Sequence, residues 1–135
     1  MKLIVTALFV VLTSFGAASA NAQGLAGMEA KVLDLTKGSW VYFREYNGRQ
    51  LIYFTHLEVY RCGIEKVRYS LDSDALDSEW KLQPCDPKKP NQITTDQPYV
   101  SLPPGTAQSA TIQLTFKDGS KSATVKINSD NQLVR

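Results

Sequence analysis

His56, Glu58 and Tyr60 alternate along the chain, and that spacing could do chemistry. On an extended strand, alternate residues share one face. An imidazole would then sit beside a carboxyl group and a phenol, a small recognition surface or the start of an acid–base site. The opposing reading is a solvent-facing half-strand, since antiparallel sheets commonly carry one polar face. Trp40, Tyr42 and Tyr53 form a second set. Exposed aromatics bind carbohydrate or protein, whereas aromatics in the strands of a small β-domain more often fill the core.

Cys62 and Cys85 are the only two cysteines. A redox pair would favour the Cys-x-x-Cys spacing, and a zinc site needs three or four clustered ligands that one histidine cannot complete. A structural disulfide is therefore expected. It would close a loop of about two dozen residues and contribute roughly 3 kcal/mol.

Other chemistry is thin. The chain holds one His and no Gly-x-Ser-x-Gly elbow, so a hydroxyl nucleophile has little to activate it. The glycines never form a phosphate loop. Asp72, Asp74 and Asp77 resemble the start of a calcium loop, but the fixed Gly and the later Glu are missing, which favours a polar turn. No catalytic residue, metal ligand or cofactor is nominated. A paired-carboxylate hydrolase would need two of the thirteen acids to converge, and nothing selects a pair.

The elements that must position these groups begin with an address. Met1 and Lys2 precede an apolar run from Leu3 to Phe15, then Ala18-Ser19-Ala20 or Ala20-Asn21-Ala22. This is the pattern of a secretory signal peptide, residues 1–22, and predicts a periplasmic or secreted protein. Cleavage would leave roughly 113 to 115 residues, a single-domain length. The net charge of +2 is scattered, which gives no electrostatic reason to expect nucleic acid. No second apolar run reaches the ~18 residues of a membrane span.

Residues 23–38 read as a short N-terminal helix with Leu25, Met28, Val32 and Leu35 in one apolar stripe. That stripe is expected to cover Val41, Phe43, Ile52 and Phe54. From Ser39 the pattern turns to strands. Ser39 to Tyr46 and Gln50 to Arg61 flank Asn47-Gly48, a type I′ hairpin signal. A two-residue loop pairs Phe43 with Ile52, Tyr42 with Tyr53, Val41 with Phe54 and Trp40 with Thr55. Leu51, Tyr53, Leu57 and Val59 would form the core face of the second strand. Asp118-Gly119 marks another hairpin, pairing Leu114 with Ala123, Ile112 with Val125 and Ala110 with Ile127. Between them, Ile64 to Leu71 alternates as a strand, and Glu79 to Gln83 reads as a short one. Pro84 to Pro104 holds all six prolines and reads as an irregular connection with a brief strand at Tyr99 to Leu102.

The expected architecture for residues 39–135 is mainly β, an antiparallel immunoglobulin-like sandwich, with a small open barrel as the alternative. The expected function is a soluble exported β-domain, not an enzyme, that binds a protein or glycan. The residues nominated for binding are His56, Glu58, Tyr60 and Trp40. The alternatives are an inhibitor of an extracellular hydrolase such as a protease or lysozyme, acting through the Pro84–Pro104 loop, and a small hydrolase using His56 or an unidentified carboxylate pair.

Overall fold

The computed structural model describes residues 27–135. The signal peptide of residues 1–22 and the first part of the expected helix, with Leu25, lie outside the described residues. A seven-residue helix, α1 (Glu29–Leu35), precedes a 3-10 turn over Lys37–Ser39. The strands are β1 (Tyr42–Tyr46), β2 (Arg49–Tyr53), β3 (Ile64–Leu71), β4 (Ser78–Trp80), β5 (Tyr99–Leu102), β6 (Ser109–Phe116), β7 (Val125–Asn128) and β8 (Leu133–Val134). A five-residue helix, α2 (Thr55–Val59), interrupts the strands after β2. They form two antiparallel sheets, one of three strands in the order β1-β2-β5 and one of five in the order β4-β3-β6-β7-β8. The fold is mainly β and sandwich-like, and its sheets do not close into a barrel.

The first hairpin forms as its turn chemistry requires. Asn47 and Gly48 both have positive φ, 52° and 73°, the left-handed pair a type I′ turn needs. Tyr42 pairs with Tyr53 and Phe43 with Ile52. The predicted pairings further along do not form, because the chain leaves the sheet at Phe54 and coils into α2. The second hairpin keeps its distant register, with Ala110 opposite Ile127 and Ile112 opposite Val125. Its turn has three residues. The Phe116 N–H donates to Ser120 O at 2.8 Å, and Gly119 takes φ 86°. Leu114 faces Ser122 instead of Ala123, and an irregularity at Ala123–Thr124 absorbs the extra residue.

One core lies between the sheets. Phe43, Ile52, Phe54, Ile64, Val67, Ile112, Leu114 and Ile127 meet there with Leu33, Trp40 and Leu57. The α1 stripe is corrected. Leu33, not Leu35, is the buried leucine, and Leu35 is 75% exposed. Leu33 serves because it lies next to Trp40, whose Nε1–H donates to the Leu33 carbonyl at 2.9 Å. Gly63 lets α1 approach, since a Cβ there would collide with the Cβ of Glu29.

Polar groups complete the packing where strands end. The Gln50 carboxamide exchanges two 2.8 Å hydrogen bonds with the Ala107 backbone. Asn131 does the same for β1, accepting from the Phe43 N–H and donating to the Phe43 carbonyl at 3.0 Å. One side chain thus stands in for a strand on the β1 edge. The polar turn after β3 folds over the outer face of the larger sheet. There Asp74 accepts from the Thr111 hydroxyl at 3.0 Å and from Lys126 at 3.2 Å, so Ser70 and Thr111 are buried, not solvent-facing as their alternation suggests.

Candidate functional site

The outer face of the three-stranded sheet is set by register. Tyr42 pairs with Tyr53, and Tyr53 with Tyr99, so three tyrosines cross all three strands in one row. Alternation puts Phe43, Ile52 and Val100 on the opposite, core-facing side. Tyr42 is 55% exposed. The Tyr53 and Tyr99 rings meet at 5.1 Å between centroids, tilted by 55°. Leu51 and Tyr53, both expected on the core face of their strand, sit on this outer face, because Ile52 and Phe54 take the core side; Leu51 is covered there, outside the central cluster. The Arg44 guanidinium lies 4.3 Å above the Tyr46 ring. Arg49 donates to the Ser101 hydroxyl at 3.0 Å.

Two clefts open on this face. One, of about 690 Å³, is lined by Tyr42, Arg44, Tyr53, Thr55, His56 and Asn131 among others. The second, of about 310 Å³, is lined by Tyr46, Arg49, Leu51, Gln97, Tyr99 and Ser101 with Asn47.

α2 brings His56 to the larger cleft. His56 Nε2 lies 2.8 Å from the Thr36 hydroxyl, which donates its one proton to the Val32 carbonyl at 2.7 Å. Thr36 must therefore accept from His56, and the network assigns the proton to Nε2. Nδ1 keeps its lone pair, has no partner among the described residues and is not a sealed orphan. Burial holds the imidazole below its ordinary value of 6.5, favouring the neutral ring. The Tyr60 ring, one helical turn on, meets the imidazole edge-on at 5.1 Å.

The expected strand from Gln50 to Arg61 is thus corrected, and its nominated residues separate. His56 and Tyr60 stay together, since residues four apart on a helix are neighbours. Glu58 turns inward and is fully buried. Its carboxyl oxygens accept from the Trp80 indole N–H at 2.9 Å and from the Gln83 N–H at 3.2 Å. Trp40 is also fully buried. Neither Glu58 nor Trp40 offers a surface to a partner.

The segment just after α2 holds the proline-rich connection. Cys62 and Cys85 are bonded, with Cα atoms 4.9 Å apart. Arg61, 4% exposed, donates to the carbonyls of Pro84 at 3.0 Å and of Glu58 at 2.9 Å. Asn91 reaches the Val59 carbonyl at 2.9 Å, and Pro98 accepts from the Phe54 N–H at 2.7 Å. The connection is tied down along its length and delivers Tyr99 to β5.

Among the described residues, no group of three or more His, Cys, Asp or Glu side chains converges as a metal ion would require, and no helix is long and apolar enough to cross a membrane. No protein-family model, curated protein or solved structure matches the chain.

Sequence reasoning paired Tyr42 with Tyr53 but missed Tyr99, Arg44 and Arg49 as companions. The hairpin signal at Asn47-Gly48 could have found the arginines, because it places Arg44 and Arg49 on the same face as the tyrosines.

Proposed function

We propose that this chain is an exported binding domain, not an enzyme, that takes another macromolecule on the outer face of its three-stranded sheet. The observation that carries the reading is the Tyr42–Tyr53–Tyr99 row. Tyrosine presents a large, rigid, amphipathic surface at low entropy cost. Tyr42 is exposed, and Tyr53 and Tyr99 are half-buried beside it, each lining a cleft of this face. The disulfide fits an oxidising compartment and supports export. An immunoglobulin-like sandwich is the scaffold of this reading, supported by two antiparallel sheets of three and five strands around one core.

The test is retention on fractionated envelope material, comparing the unaltered chain with Tyr42→Ala and Tyr99→Ala. Retention should fall in both variants while thermal melting shows the fold intact. Equal retention would count against the face. Turnover of a defined substrate, abolished by His56→Ala, would replace the reading with a hydrolase.

A second reading, an inhibitor of an extracellular hydrolase, draws on the anchored segment after β4. A loop held by Arg61, Asn91 and the disulfide is pre-organised, and pre-organisation lowers the cost of inserting it into a cleft. Replacing Pro87 to Lys89 with glycines would abolish inhibition on this reading and leave envelope retention untouched on the first.

A further inference from the structure

We infer that the occupant of the tyrosine face is an acidic polysaccharide chain, a polymer of pyranose rings carrying carboxylates. The inference rests on the binding reading above and adds the chemistry of the partner.

Charge is the first argument. The two clefts contain Arg44 and Arg49, and no Asp or Glu is among their described lining residues, in a chain with thirteen acids. Glu45, the one acid of β1, sits on the opposite face and accepts from the Gly105 N–H. Neither arginine has a carboxylate partner among the described residues. Arg44 is propped by the Tyr46 ring and Arg49 by Ser101, so both guanidinium groups are placed but not neutralised. Such groups bind carboxylates in the planar, two-point manner that lysine cannot reproduce.

Shape is the second. Strands lie about 4.8 Å apart, so the tyrosine row runs for about 10 Å. That is room for two pyranose rings laid edge to edge. The C–H face of a sugar carries slight positive charge and meets the negative face of an aromatic ring. The rim offers what sugar hydroxyls need: the Thr55 and Ser39 hydroxyls, the Gln97 amide, and the bare acceptor Nδ1 of His56.

The other anionic polymers fit less well. A single-stranded nucleic acid carries a charge at every nucleotide and calls for a denser basic track than two arginines. An acidic peptide docking by strand addition would pair with a sheet edge and not with the tyrosine row, and at β1 the Phe43 backbone groups are already taken by Asn131.

The experiment is titration of the full chain, followed by amide chemical shifts and calorimetry, with four probes. These are oligogalacturonate, a neutral cello-oligosaccharide of equal length, polyglutamate and oligo-dT. Oligogalacturonate should bind, weaken with added salt and shift amides of β1, β2 and β5. Tyr42→Ala and Arg44→Gln should each lower its affinity about tenfold or more. Both residues are exposed, so folding should survive, and melting checks it. Failure of oligogalacturonate to bind, or equal binding of the neutral sugar, overturns the acidic-glycan inference. Preference for polyglutamate or oligo-dT, lost in Tyr42→Ala, overturns the glycan and leaves the face standing. Binding that maps to β3, β6 and β7 overturns the face itself.

Discussion

The carboxyl group of Glu58 accepts the indole N–H of Trp80 at 2.9 Å, joining α2 to the edge of the five-stranded sheet. The same indole ring stacks on Phe54 at 4.4 Å with only 2° between planes. Phe54 opens α2, so both contacts pull the same short helix onto the core.

Glu58→Ala would leave the Trp80 indole and the Gln83 N–H without their acceptor. An unsatisfied buried donor costs about 1–3 kcal/mol. Both donors sit on half-buried residues, so urea unfolding should show a loss of about 1–3 kcal/mol, with Glu58→Gln losing less because its amide oxygen can still accept from one of them. Equal stability of Glu58→Ala and the unaltered protein would refute this role.

His56 predicts a pH dependence with a definite sign. Its folded value lies below the ordinary 6.5, so near and below that pH the unfolded chain binds more protons. The stabilising contribution is whole above 6.5 and is lost as pH falls through the lowered folded value. The urea midpoint of the unaltered protein should therefore fall more steeply from neutral pH toward 5 than that of His56→Gln. The single histidine gives an unambiguous proton resonance, which should titrate below 6.5 with Nε2 protonated in the neutral form.

Asn131 has φ 61°, a conformation that glycine also adopts without strain. Asn131→Gly therefore removes the carboxamide and keeps the turn. Two hydrogen bonds to Phe43 are lost, at about 1 kcal/mol each. The bared β1 edge should also raise self-association in sedimentation, since unpaired edges recruit other strands. A variant as stable and as monomeric as the unaltered chain would show that the clasp carries no weight.

Gly63→Ala drives a methyl group into Glu29. Overpacking of this kind costs about 1–3 kcal/mol. The melting temperature should drop, and the loss should shrink in the double variant with Glu29→Gly, where the opposing Cβ is gone. Equal losses in the single and double variants would place the cause elsewhere.

Thiol titration of the denatured, unreduced protein should find no free thiol. Cys62→Ser with Cys85→Ser should destabilise the fold by about 3 kcal/mol, the chain-entropy value for a loop of this length.

Local signals were read correctly where geometry is local. β3 and β5 have the bounds that alternation implied, and Asn47-Gly48 fixed the register that pairs Tyr42 with Tyr53. α2 was hidden because five residues are too few for a 3.6-residue period to show against a strand's period of two. Its helical turn is decided by distant partners, Trp80 and Gln83 for Glu58 and Thr36 for His56. The same holds for Tyr99. Its place beside Tyr53 depends on a pairing across the whole proline-rich connection, which periodicity cannot see. Of the aromatic face only the Tyr42–Tyr53 pairing was legible, because an apolar alternation with Leu51, Leu57 and Val59 implies the core for Tyr53, whereas Ile52 and Phe54 take that side.

The Cys62–Cys85 bond has a further consequence for assembly. Measured through the bridge, the chain path from Tyr53 to Tyr99 is roughly half its contour length, which lowers the entropy of closing that loop by about 0.6 kcal/mol. The third tyrosine is thus brought home more cheaply in an oxidised chain than in a reduced one. Redox state sets the cost of completing the row before any ligand arrives.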